Sequence, residues 1–156
     1  MGKIDNNISK HFPNTTKLLS TNQIHNAFFS ILDPGVEIPE HIGYYKGYLR
    51  YHLGVIIPNN NDSNINNKAF IICGGEKYIW SEGQGVVFDD MYLHSVKNPT
   101  NQTRVVLYLD IKRTSDNDII NNINDLGINM IENSILLKLF VKNQHIQTKI
   151  NTNQIK

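Results

Sequence analysis

Between residues 27 and 112 the apolar residues fall into short runs separated by turn signals, and beyond residue 115 the spacing changes to that of helices. Ala27–Leu32 is an apolar run that ends at Asp33-Pro34-Gly35. Gly47–Ile57 is a long alternating run that stops at Pro58. Ala69–Cys73, Glu76–Trp80, Gly85–Phe88, Leu93–Val96 and Arg104–Ile111 follow. Short strands at this spacing predict a sandwich or small barrel. Thr15–Ser20, after Pro13, predicts a short N-terminal helix. Ile119, Ile120, Ile123 and Leu126, then Ile131, Ile135, Leu136 and Leu139, recur at helical spacing, with Gly127 between two helical segments. A single domain over residues 1–156 is expected, with a β core at about 26–113 and a helical region at about 116–142.

Two of the expected strands carry chemistry. In Gly47–Ile57, Tyr48, Arg50 and His52 share one face, and Leu49, Tyr51 and Leu53 share the other. In Arg104–Ile111, Arg104, Val106, Tyr108 and Asp110 alternate with Val105, Leu107, Leu109 and Ile111. Hydrophobicity alone turns the leucine-bearing face of each strand toward the core and leaves the polar face to solvent, as antiparallel sheets commonly do. The functional alternative is that Arg50 and His52 line a barrel interior that binds an anion.

Composition narrows the classes. Hydrophobic residues make up 40% and charged residues 19%, as in ordinary globular domains. A net charge of +1 gives no electrostatic case for nucleic acid or an anionic membrane. The 22 Asn and 22 Ile share AT-rich codons and report genome bias, not chemistry. The one cysteine, Cys73, cannot form an internal disulfide and reads as a buried, inert thiol. No apolar run spans a bilayer and no signal peptide opens the chain, so a cytoplasmic protein is expected. Gly74-Gly75 reads as a hairpin turn, and Trp80 as a packing residue at a strand end.

Six histidines are present. His11, His25 and His145 lie in or beside polar segments and read as surface. His41 precedes Ile42-Gly43, and His94 opens a short strand, where each by itself is more often structural than a ligand.

Taken together, FFSILDPGVEIPEHIG, YKGYLRYHLGVIIP, CGGEKYIWSEGQGVVFDDMYLHSVKN and TRVVLYLDIKR, in order from Phe28 to Arg113, resemble the aspartyl/asparaginyl β-hydroxylase family of iron(II)/2-oxoglutarate oxygenases. FPNTTKLL weakly extends the likeness back to Phe12. The resemblance implies an all-β core, a double-stranded β-helix of the jelly-roll or cupin-like kind, with a short N-terminal helix and C-terminal helices. It implies His41 and His94 as iron ligands and as the catalytic centre. It assigns Arg104, Ser30 and His52 to 2-oxoglutarate, with Arg104 and Ser30 at the distal carboxylate and His52 near the metal-proximal one. Arg50 and Tyr48 are assigned to the substrate side. The implied co-substrates are 2-oxoglutarate and O2, and the implied product carries a hydroxyl on an unactivated carbon. The substrate expectation is an Asp or Asn side chain of a protein, or alternatively a lipid-linked acyl chain or other small molecule. The remaining alternative is a non-catalytic cupin-like binding protein, since His94 and Asn98 are spaced as in a cupin second motif. The oligomeric state is not legible.

One feature departs from most 2-oxoglutarate oxygenases. They place Asp or Glu two residues after the first histidine, which on a strand puts both ligands on one face about 7 Å apart. Gly43 stands there. Asp90, four residues before His94, lies about 13 Å away along a straight strand and approaches only through a bend. A two-histidine site is therefore expected, with Asp90 acting through hydrogen bonds.

Overall fold

The computed structural model describes residues 6–21, 23–58 and 67–134. Two compact units divide the chain, Met1–Arg113 and Thr114–Lys156. The first begins with two short helices, α1 (Asn6–His11) and α2 (Pro13–Leu19). The sequence anticipates only the second, and Pro13 sits in its first turn, where a missing N–H costs nothing. Among the described residues eight strands follow: β1 (Ile24–Leu32), β2 (Glu37–His41), β3 (Tyr48–Ile56), β4 (Phe70–Cys73), β5 (Glu76–Ile79), β6 (Gly85–Phe88), β7 (His94–Lys97) and β8 (Arg104–Lys112).

The strands form two four-stranded antiparallel sheets, ordered β1-β8-β3-β6 and β2-β7-β4-β5. This interleaving of early and late strands is a double-stranded β-helix, as expected. The core lies between the sheets. Leu32 and Val106 from one meet Ile71 and Val96 from the other, with Ile57, Ala69 and Trp80 filling in. The β4–β5 hairpin turns through Gly74 and Gly75, at φ 59° and 88°, a left-handed pair that favours glycine and matches strand twist.

The inner faces of β3 and β8 are the reverse of the hydrophobic expectation. Tyr48, Arg50 and His52 are buried on β3, while Leu49, Tyr51 and Leu53 are half-buried. On β8, Arg104, Val106 and Asp110 are buried and Tyr108 is half-buried, whereas Val105, Leu107 and Ile111 are half-buried on the other side. Only Leu109 of the leucine-bearing set is buried. Both faces of this sheet are partly covered, so the apolar set marks its outer face and the polar set lines the interior.

Among the described residues of the second unit, α3 (Asp118–Asn133) runs unbroken through Gly127, where the sequence suggested a break. Asn117 caps it by accepting a hydrogen bond from the Ile119 N–H. The later part of the expected helical region lies outside the described residues. No helix among them is long and apolar enough to cross a membrane.

Candidate functional site

His41 and His94 are in register across β2 and β7, which points both side chains to the same side of the sheet. Their ring centroids are 4.1 Å apart. Each ring is fixed the same way. His41 Nδ1 lies 2.8 Å from the Pro39 carbonyl oxygen, and His94 Nδ1 lies 2.9 Å from that of Tyr92. A carbonyl only accepts, so Nδ1 carries the proton in each ring and Nε2 keeps its lone pair. That is the tautomer a metal requires, held by backbone two residues upstream. Burial lowers the pKa of the His94 imidazole, against its Tyr92 hydrogen bond, and so favours the neutral form that can ligate. Cys73 stands in register on the far side of His94, half-buried, with its thiol raised in pKa by burial.

Gly43 is glycine for a reason of space. A Cβ there would collide with the carboxylate of Asp90, and the Gly43 N–H donates to the Asp90 carbonyl at 2.6 Å. The bend that the sequence required of Asp90 is a turn over residues 90–92, closed by the Tyr92 N–H on the Asp89 carbonyl. Asp90 Oδ2 accepts from Arg50 Nε at 2.9 Å and pairs with Nη2 at 2.8 Å. Asp90 Oδ1 is buried without a hydrogen-bond partner. Among the described residues no group of three or more His, Cys, Asp or Glu is placed to hold a metal.

Arg50 also pairs with Asp110, directly across β8. Its charge is met by two internal carboxylates, and it is 5% exposed. Tyr48 is 1% exposed and packs against the rings of His25 and Tyr45. Both residues are therefore packed on the inner face of β3.

Arg104 presents the opposite situation. It is 1% exposed, donates to the Ser30 carbonyl at 3.1 Å and to Ser30 Oγ at 3.3 Å, and takes part in no ion pair among the described residues. Burial lowers its pKa to about 10, which still leaves it cationic. His52 is buried with neither ring nitrogen hydrogen-bonded. Burial, then the charges of Arg104 and Arg50, pull its pKa down to about 3, so it is a neutral imidazole. The structure thus brings Arg104, Ser30 and His52 to one interior face, opposite the histidine pair. Asn98 has a structural task. Its amide donates to the carbonyls of Leu32, Asp33 and Gln102, and its Oδ1 accepts from Thr100, tying the loop before Arg104 to the β1–β2 turn.

Two further aromatic residues, neither assigned to the site from the sequence, adjoin this face. Phe28 sits in register with Tyr108, and Tyr108 with His52, so all three share the inner face. Phe28 stacks on Tyr108 at 4.4 Å yet remains 50% exposed, at the open side of that row. Its alternation with Ser30 along β1 was the available signal. Trp80, taken as packing, contacts both His52 and Arg104.

The chain is thus a cupin-like double-stranded β-helix whose interior carries two neighbouring histidines and a buried arginine with no ion-pair partner among the described residues. The family model described as aspartyl/asparaginyl beta-hydroxylase matches residues 1–114, and this chain belongs to that family. Among relatives, an ornithine lipid ester-linked acyl 2-hydroxylase of Rhizobium tropici is 45% identical over 84 residues, 54% of this chain and 28% of that protein. An aspartate beta-hydroxylase domain-containing protein 2 of Xenopus tropicalis is 37% identical over 82 residues, covering 53% and 20%. The chain thus spans less than a third of the length of either relative. A cupin domain from Schizosaccharomyces pombe superimposes with a TM-score of 0.47 at 12% identity, covering 64% of each chain, and the fold assignment rests on strand order without it.

Proposed function

We propose that this chain is an iron(II)- and 2-oxoglutarate-dependent dioxygenase that hydroxylates an unactivated carbon. The observation that carries the proposal is the His41–His94 pair, with both Nδ1 atoms committed to backbone carbonyls and both Nε2 lone pairs left for one ion. Two imidazoles suit iron(II), and the missing third protein ligand leaves positions for co-substrates. Bound there, iron would couple the oxidative decarboxylation of 2-oxoglutarate by O2 to hydroxylation of the substrate. The residues of the chain do the rest. Arg104, aided by Ser30, grips the distal carboxylate, and its lack of an ion-pair partner among the described residues supports that role. His52, neutral and with both nitrogens unpaired, hydrogen-bonds near the metal-proximal carboxylate. Asp90, fixed by Arg50, keeps Oδ1 as an acceptor beside the histidines.

Of the two substrate readings, the acyl chain is favoured over an Asp or Asn side chain. An acidic side chain needs a free cation, and Arg50 is already neutralised by Asp90 and Asp110. Exposed apolar residues adjoin the histidines in sequence, Ile42 at 59%, Tyr92 at 62% and Leu93 at 52% exposure, and Phe28, 50% exposed, ends the Tyr108–His52 row. The relative named for acyl 2-hydroxylation agrees with this.

Anaerobic calorimetric titration with iron(II) tests the metal site. His41→Ala or His94→Ala should each abolish stoichiometric binding while circular dichroism stays unchanged. Wild-type affinity in either variant would remove these residues from the site. Mass spectrometry should then show a gain of one oxygen on an acyl amphiphile, and not on Asp- or Asn-containing peptides.

A further inference from the structure

Trp80 is buried to 2% exposure, yet its Nε1–H finds no hydrogen-bond partner. A buried indole usually does find one, because leaving such a donor unpaired forfeits its hydration without replacement. The surroundings are unusual in the same way. The Arg104 guanidinium carbon lies 4.6 Å from the Trp80 ring centroid, and Arg104 Nε is also unpaired. The His52 ring stacks at 5.9 Å and 26°, with both of its nitrogens unpaired. Three neighbouring groups therefore hold unsatisfied polar atoms around one ring, and packing alone does not account for the coincidence. An acceptor with several lone pairs does. A carboxylate offers about four acceptor sites, and a dicarboxylate carries enough charge to satisfy Arg104 as well.

We propose that Trp80 belongs to the co-substrate pocket: its ring face holds the Arg104 guanidinium in place, and its indole N–H donates to the bound dicarboxylate. The proposal rests on the 2-oxoglutarate reading above and adds a residue to it. It also explains the position of Trp80, at the end of β5 between a residue of β3 and one of β8. A leucine of similar burial would fill the core there but would neither stack on the cation nor donate.

Trp80 is the sole tryptophan of the chain, so its emission reports on this one point. The full chain, loaded with manganese(II) to prevent turnover, is titrated with 2-oxoglutarate and followed by fluorescence and calorimetry together. Emission should change saturably, with the midpoint that calorimetry gives. Trp80→Phe keeps a ring beneath Arg104 and removes only the N–H, and should weaken 2-oxoglutarate binding about two- to ten-fold. Manganese affinity and the denaturation midpoint should stay close to wild type, which a purely structural role would not predict. Calorimetric binding with unperturbed emission, or unchanged affinity in Trp80→Phe, overturns the Trp80 assignment and leaves the co-substrate reading standing. If calorimetry detects no 2-oxoglutarate binding to the wild type, the reading itself fails and the proposal falls with it.

Discussion

Arg50 and Arg104 lie on the inner faces of two hydrogen-bonded neighbours, β3 and β8, and both are buried, at 5% and 1% exposure. Their surroundings differ in one respect. Arg50 is clasped by Asp90 and Asp110, whereas among the described residues Arg104 meets the neutral oxygens of Ser30 and the face of Trp80 and no carboxylate. Burying a guanidinium is costly, and the chain offsets that cost at one end of the interior but not at the other. A fully paired buried arginine holds structure together. On the proposed function, the counter-charge of Arg104 arrives with 2-oxoglutarate. The comparison divides the interior into a packed end, which fixes Asp90 through Arg50, and a receptive end, to which the proposed function assigns the anion.

The strongest way to break this division is to remove Arg50. Arg50→Ala leaves two buried carboxylates without their cation and should cost about 3–5 kcal/mol of folding stability in denaturant titration. A loss below about 1 kcal/mol would show that Asp90 and Asp110 find other partners, and the structural role of Arg50 would have to be given up.

Arg104→Ala should behave in the opposite sense. Removing an unpaired buried cation leaves stability nearly unchanged, while 2-oxoglutarate binding weakens by about 2–4 kcal/mol in calorimetry. Arg104→Lys should restore only part of it, because a point charge lacks the fork that grips a carboxylate. Equal affinity in wild type and alanine variant would erase the contrast between the two arginines.

Much of this was legible beforehand, and the failures have physical causes. Seven of the eight strands follow from apolar runs and turn residues. The exception, β2, reads Glu-Ile-Pro-Glu-His, with one aliphatic residue and a proline that only an edge strand tolerates. The missed strand is the one that carries His41. The inward faces of β3 and β8 were misjudged because hydrophobicity locates the core only where the interior is apolar, and here the interior houses the site. The partners of Arg50 were invisible because they lie 40 and 60 residues away. Gly43 looked like a missing ligand. It is also a space that the Asp90 carboxylate needs.

The smallest predicted effect sharpens the receptive end. Ser30 supports Arg104 twice, through its carbonyl at 3.1 Å and its hydroxyl at 3.3 Å. Ser30→Ala removes only the longer contact, and the backbone carbonyl stays, so the guanidinium keeps its orientation. The hydroxyl sits on the inner face of β1, between Phe28 and Leu32, where it can also donate to the anion that Arg104 holds. Losing it should weaken 2-oxoglutarate binding by about 0.5–1.5 kcal/mol, the net worth of one hydrogen bond, with no change in stability. Ser30→Thr keeps the hydroxyl on a stiffer side chain and should recover most of the affinity. If alanine and threonine bind equally well, Ser30 only orients Arg104 through its backbone, and the receptive end reduces to Arg104, His52 and Trp80. If alanine loses as much affinity as Arg104→Ala does, the hydroxyl is the principal anchor, and the weight given to the unpaired guanidinium is misplaced.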